Sequence, residues 1–421
     1  MDFTPAWTYK WSDTHYPSGA GSAQGFGLAV DAQGYLYVAG CTQSTRSGAE
    51  PMSGFVLKLS PDLQEVWYHS DYFPTAVGYQ GIHRVVLDSN GNLLAHATYL
   101  EDGQSYTRLM CLSPEDGSVL WQHDLPRGNN WASEWDGGAG PALDAEGNIY
   151  LATGLGTNAA LDHSEPLGIY KFDPDGNLLW SAQDRLADYY PGADGWEDIW
   201  EVVVDSQGSV YVSASADLVA SAGDLAFGLV KFDAQGNREW TSVQHFGPTN
   251  AYFNAPRGLA IDEADNLYQT GNAWDAQGWA GGRKLNSDGN LLLATYLTEQ
   301  RVIYPYGSVI TSKGNLILHG ITNDDFTSEA TLYSPTFEKL ASFEFQFAGC
   351  VEGGNPDRTA LDPWGNAYLL EWFGDSEIGG NASLGLIRVG DYGAPVPEPT
   401  TAALLGLGGL VWLGRRRRKP G

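Results

Sequence analysis

The chain has 421 residues, with 51 Asp plus Glu against 23 Lys plus Arg, a formal net charge of −28, 53 Gly and 15 Trp. A body this acidic repels nucleic acid and anionic lipid at long range, which excludes polyanion-wrapping classes. Three cysteines, Cys41, Cys111 and Cys350, are an odd count without CxxC spacing; they make neither a disulfide framework nor a thiolate metal site and read as small hydrophobes.

Taken in chain order, PAWTYKW (5–11) reads as an isolated strand, and then one unit recurs. GLAVDAQGYLYVAG (27–40) returns as VVLDSNGNLLAHAT, PALDAEGNIYLATG, VVVDSQGSVYVSAS, GLAIDEADNLYQTG, SVITSKGNLILHGI and TALDPWGNAYLLEW. Its acid falls at Asp31, Asp88, Asp144, Asp205, Asp262 and Asp362, with Thr311 in the sixth copy. Between these copies lies a second unit, as in GFVLKLSPDLQEVWYH, GIYKFDPDGNLLWSA and GLVKFDAQGNREWTS. Each unit is an apolar alternating run, a D-x-x-G-like turn and another alternating run, the pattern of a β-hairpin. Two hairpins make one four-stranded sheet, and seven such sheets are predicted. The seventh lacks its last strand after SLGLIRVGDYG; Trp7 of PAWTYKW fills the slot of Trp67, Trp180 and Trp240. A first strand that completes the last sheet closes a ring and removes its open edges. The predicted fold is therefore all-β, a seven-bladed β-propeller over residues 1–393.

The tail differs in kind. Residues 394–421 contain Val396, Pro397, Glu398 and Pro399, an uncharged apolar run from Thr400 to Gly414, and then Arg415, Arg416, Arg417 and Arg418 before Lys419. The run is short for a membrane span of about 20 residues, and is expected to be a short apolar helix that inserts transiently. The arginines are expected to stay cytoplasmic, with the body on the other side. Without the tail the body carries 18 basic and 50 acidic residues, a net of −32.

Two resemblances rest on these residues. The tail resembles a PEP-CTERM sorting signal, which implies an exported protein of a Gram-negative bacterium, an exosortase as partner and an association with exopolysaccharide. Such proteins also carry an amino-terminal secretion signal. The chain begins MDFTPAWTYKW, with no apolar segment, so that signal is expected upstream of Met1. The repeat resembles the bacterial seven-bladed propeller repeat, with its AVD-x-x-GN-x-YV and K-x-D-x-x-GN-x-x-W signatures. Leu293 and Ala341 depart from it at the Trp position, and Thr311 at the Asp position.

Candidate site residues come from two places. Long connections on one face carry Trp131, Trp135, Tyr189, Tyr190, Trp196 and Trp200, with Glu134, Asp136, Asp194, Glu197 and Asp198 among them. Flat rings with acceptors nearby suit stacking on sugar rings, and caps that shield the blade ends are the other reading. The second place is the start of each inner strand. Four residues before the anchoring acid stand Gly27, Arg84, Gly140, Glu201, Gly258, Gly307 and Arg358; one step earlier stand Phe26, His83, Ala139, Trp200, Arg257, Tyr306 and Asp357. Arg84, Arg257 and Arg358 form either an anion site at the channel mouth or ion pairs with Glu201 and Asp357, and His83 beside them would move protons near neutral pH.

DPDGN (173–177) begins with the spacing of a calcium loop, but Leu178 stands where that loop needs Gly, so it reads as a turn. Neither HExxH nor GxSxG occurs, and no phosphate loop. No cofactor is evident, although a divalent cation such as calcium suits so acidic a body. The expected role is a surface or matrix module that binds carbohydrate or a surface protein. The alternatives are a polysaccharide lyase or hydrolase at the channel mouth, and a spacer without a ligand.

Overall fold

The anchoring acids organise the first hairpin of nearly every blade. In the computed structural model, Asp144 Oδ1 accepts the backbone N–H groups of Glu146 at 3.1 Å and Asn148 at 2.8 Å, and Oδ2 accepts Asn148 Nδ2 at 2.8 Å and the Tyr150 hydroxyl at 3.0 Å. Asp31, Asp88, Asp205, Asp262 and Asp362 use Oδ1 in the same way. An aspartate that binds the amides two and four residues on closes the turn by itself. Thr311 keeps one such bond, from Asn315 N–H at 3.2 Å. The lysine of the second unit returns to this acid: Lys171 Nζ lies 3.4 Å from Asp144 and over the Tyr150 ring. The signature residues of the repeat thus stitch two hairpins into one sheet. The DPDGN segment is the same device, with Asp173 Oδ1 accepting from Asp175 and Asn177.

The described residues are 3, 5–12, 15, 22–43, 53–72, 81–101, 104–129, 139–155, 166–190, 193, 195–218, 225–246, 254–273, 280–297, 302–322, 327–347, 350–375 and 382–390. They form seven four-stranded antiparallel sheets, six of them in simple chain order from the inner strand outward. The seventh blade runs Cys350–Leu361, Ala367–Asp375, Ala382–Val389 and then Pro5–Trp11 on the outside. Trp7 pairs with Arg388 and Tyr9 with Leu386. This is the register in which Trp67 faces Lys58, Trp180 faces Lys171 and Trp240 faces Lys231. The inner strands of blades 7 and 1 pack together, so the ring is closed by the amino-terminal strand. The apolar tail helix expected from the sequence lies outside the described residues.

Blades are joined through the recurring tryptophans. Trp180 of blade 3 donates to the Ala234 carbonyl of blade 4 at 3.0 Å, and its ring covers Gly236, where a Cβ would sit 2.8 Å from Cε3. Trp67 over Gly117, Trp121 over Gly176 and Trp240 over Gly289 repeat the arrangement. The two departures are compensated. Opposite Leu293, the glycine position is taken by Phe337, which accepts φ +60 and packs edge-on against Tyr268. Beside Ala341, Phe3 of the amino-terminal segment is buried 5.3 Å from Phe343 in one cluster with it. Cys41, Cys111 and Cys350 form no disulfide.

Candidate functional site

Every inner strand is interrupted, close to its start in blades 2 and 3 and nearer its middle in the other five. The pairing with the second strand shifts between Gly25 and Gly27, Ile82 and Arg84, Ala139 and Ala142, Ile199 and Glu201, Pro256 and Gly258, Tyr306 and Ser308, and Pro356 and Arg358. A β-bulge bends the strand and re-aims the side chain of its extra residue. The bulges coincide with the positions that the sequence singled out.

At this level the three arginines meet on one step of blade 4, Trp200–Glu201. Arg84 of blade 2 donates to the Trp200 carbonyl at 3.0 Å, to the His83 carbonyl at 3.0 Å and to the Phe26 carbonyl at 3.4 Å. Arg257 of blade 5 lays its guanidinium 3.9 Å from the centroid of the Trp200 ring, a cation–π contact. Arg358 of blade 7 bonds Glu201 Oε2 at 3.0 Å. Burial pushes the Glu201 carboxyl above its usual range, and the charge of Arg84 opposes the shift. Arg84 and Arg358 therefore reach blade 4 from blades that are not its neighbours, and connect walls of the channel. The ion-pair reading holds for Arg358 with Glu201. For Arg84 the hydrogen-bond partners are carbonyl oxygens, and Glu201 acts on it through its charge without a direct bond.

His83 does not have the protonation the sequence suggested. Burial, followed by the charges of Arg84 and Arg127, pushes it down to about 3. Its Nε2 is 2.8 Å from Thr98 Oγ1, and its ring stacks on Phe26. At neutral pH it is an uncharged wall residue and not a proton carrier.

The aromatic residues divide. Trp196 and Trp200 lie in the inner strand Gly195–Val204 of blade 4, not in the connection before it. Both are buried: Trp196 donates from Nε1 to Asp184 Oδ1 at 3.0 Å, and Trp200 to Ser215 Oγ at 3.1 Å. Neither presents an open ring to a sugar, and of the two readings the cap is the one that their placement supports. Tyr189 closes a short helical turn, Leu186–Asp188; its hydroxyl donates to Asp184 Oδ2 at 2.9 Å, and Arg238 covers its ring at 3.4 Å. Tyr190 packs half-buried against the core of blades 3 and 4. Trp131 and Trp135 lie outside the described residues. Asp184 was not read from the sequence, where its only signal is an acid ending an alternating strand. Burial pushes its carboxyl up, against the bonds from Trp196 and Tyr189.

Comparison with known proteins adds the address. Residues 395–419 match the PEP-CTERM protein-sorting motif. The chain carries a PEP-CTERM tail. That tail marks it for export and membrane-anchored sorting, with processing by an exosortase. No curated protein matches the chain. Among solved structures, a protein of unknown function from Dyadobacter fermentans is similar at 9% identity and a TM-score of 0.53, over 92% of this chain and all of that one. A protein of unknown function from Bacteroides caccae gives 14% identity and a TM-score of 0.40, over 65% and 82% of the two chains. The polysaccharide lyase Uly1 gives 9% identity and a TM-score of 0.49, over 90% and 91%. At such identities the likeness is one of fold.

Proposed function

We propose that the PEP-CTERM propeller is a surface or matrix binding module that takes acidic carbohydrate at the mouth of its channel. The observation that supports this is the meeting of Arg84, Arg257 and Arg358 on the Trp200–Glu201 step, in a body whose net charge is −32. Guanidinium groups held by carbonyls, a ring and a carboxylate are preorganised, and a forked donor matches the carboxylate of a uronic acid. Acidic exopolysaccharide is the ligand class that fits an exported partner of this charge pattern. A protein of the same surface with an exposed carboxylate cluster would present the same groups, and repeated uronates favour the polysaccharide.

A lyase or hydrolase at the same mouth needs a group that accepts a proton near neutral pH. His83, pushed down to about 3, is a poor base there, so binding without turnover is the reading that the side chains favour. A glycan array probed with the full chain, with and without calcium, tests it. Retention on uronic-acid glycans without shortening of the chains is expected. Retention confined to neutral glycans, or release of unsaturated fragments, would overturn it.

A further inference from the structure

A second regularity lies on the outside of the ring. All eight exposed large apolar side chains among the described residues, 43–53% accessible, fall at the start of an outermost strand. Five stand directly before the tryptophan position: Val66, Leu120, Leu179, Leu292 and Leu340. In each of these strands the pairing shifts there, between Lys58 and Leu59, Cys111 and Leu112, Lys171 and Phe172, Lys284 and Leu285, and Leu332 and Tyr333. The five residues are thus the extra residues of edge bulges. A bulge that only protects an edge is served best by a charge, as at Glu239 in blade 4. Leucine and valine there make an apolar belt that asks for a cover. Acids flank it on the adjoining turns, with Glu65, Asp116, Asp175, Asp288 and Glu338 all exposed.

The occupant is indicated by where the chain goes next. Strand Ala382–Val389 ends opposite Pro5, at the level of the same bulge in blade 7, so the described chain ends in the plane of the belt. The tail complements the belt in both respects: residues 400–414 are apolar and uncharged, and residues 415–419 hold five of the 23 basic residues of the chain. Residues 391–399 extend to at most about 30 Å, which reaches first along the blades on either side. A tether this short gives an effective concentration of the order of millimolar, so weak contacts suffice.

We propose that the belt is the docking face of the chain's own sorting tail. The apolar run lies over the bulge residues of the blades beside blade 7, and the arginine block lies among the flanking acids. Docked in this way, the anchor is sheltered from water until the membrane takes it. Removal of the tail during sorting then bares the belt on the released ring. The inference rests on the tail and the outer strands alone, and is independent of the ligand at the channel.

The test is limited trypsin cleavage of the full chain in detergent-free buffer, read by mass spectrometry at Arg415–Arg418. Val66→Ser, Leu292→Ser and Leu340→Ser combined should speed cleavage about tenfold, equivalent to about 1.4 kcal/mol of lost docking. Leu179→Ser, on a blade far from the exit, should leave the wild-type rate. Glu338→Lys alters only an exposed turn and should also speed cleavage. Wild-type rates in the triple variant and in Glu338→Lys would overturn the proposal. So would equal acceleration by Leu179→Ser, or a concentration-dependent association that every belt variant abolishes, which would make a second copy the occupant. Flotation of the full chain with phosphatidylcholine vesicles that Leu179→Ser alone weakens would give the belt to the lipid surface instead.

Discussion

Replacing Gly236 by alanine tests how the blades are joined. Gly236 holds φ +84, a conformation that costs an L-residue about 1–2 kcal/mol. Its new Cβ would stand 2.8 Å from Trp180 Cε3, and overpacking of this kind costs about 1–3 kcal/mol. The single variant should therefore lose about 2–5 kcal/mol. Trp180→Ala gives up the bond to the Ala234 carbonyl and a half-buried ring, about 3 kcal/mol in all. In the double variant the obstructing ring is gone, and only the backbone cost of alanine remains. Urea unfolding of the four proteins should then yield a coupling of about 1–3 kcal/mol, the double variant being more stable than the sum. Costs that add to within about 0.5 kcal/mol would refute the ring-over-glycine contact. The pairing of Leu293 with Phe337 two seams further on shows that the position accepts a large residue when the facing side chain is not tryptophan.

Trp11 is buried beside Phe55 and Tyr68, so Trp11→Ala should lower the urea midpoint by the equivalent of about 3–5 kcal/mol, and removal of residues 1–11 should also cause aggregation; unchanged melting of either would reject ring closure by this strand. Burial raises Asp262, but the bonds from Asn266 and Tyr268 outweigh it and leave the carboxyl below its usual range. Its stabilisation is then complete above about pH 4 and lost as pH falls through the depressed value, a loss that Asp262→Asn should flatten in acid unfolding curves. Asp184 has the opposite sign: its raised carboxyl contributes stability below the unfolded value of about 3.9 that is lost as pH rises through the folded one, so Asp184→Asn should gain on wild type across that interval. His83, held neutral down to about 3, should make the ring less stable as pH falls below about 6.5, and His83→Gln should lessen that slope, to which the buried His96, also pushed down by burial, contributes.

Much of the fold was legible because the repeat writes its signature contacts again in most of the seven blades. The Asp–Asn–Tyr turn, the lysine that returns to it and the Trp slot each have a fixed spacing, and Trp7 could be placed in its blade from that spacing alone. The bulges were not legible. A bulge puts extra residues against the partner strand and breaks the alternation of side chains by which a strand is read, as it does twice between Trp196 and Glu201. For that reason Trp196 and Trp200 read as loop residues, although the inner strand of blade 4 begins at Gly195. The contacts of Arg84 with Trp200 and of Arg358 with Glu201 join residues 116 and 157 positions apart across the channel. No periodicity carries such pairs; only the closing of the ring creates them. The depressed His83 has a more local origin, since Arg84 is its neighbour in sequence and Arg127 stands on the outermost strand of the same blade, which the packing of that sheet brings near it.

The most direct test of an anion-binding mouth is a calorimetric titration of the full chain with a uronic-acid oligosaccharide and with its carboxyl-reduced, neutral counterpart. The acidic sugar should bind and the neutral one should not. Arg84→Ala should weaken binding about tenfold or more, the scale of one lost charge-assisted bond. Glu201→Gln removes the carboxylate that holds Arg358 and should strengthen it. Equal affinity for the two sugars, or an affinity for the acidic one that neither substitution moves, would contradict the assignment of the channel mouth.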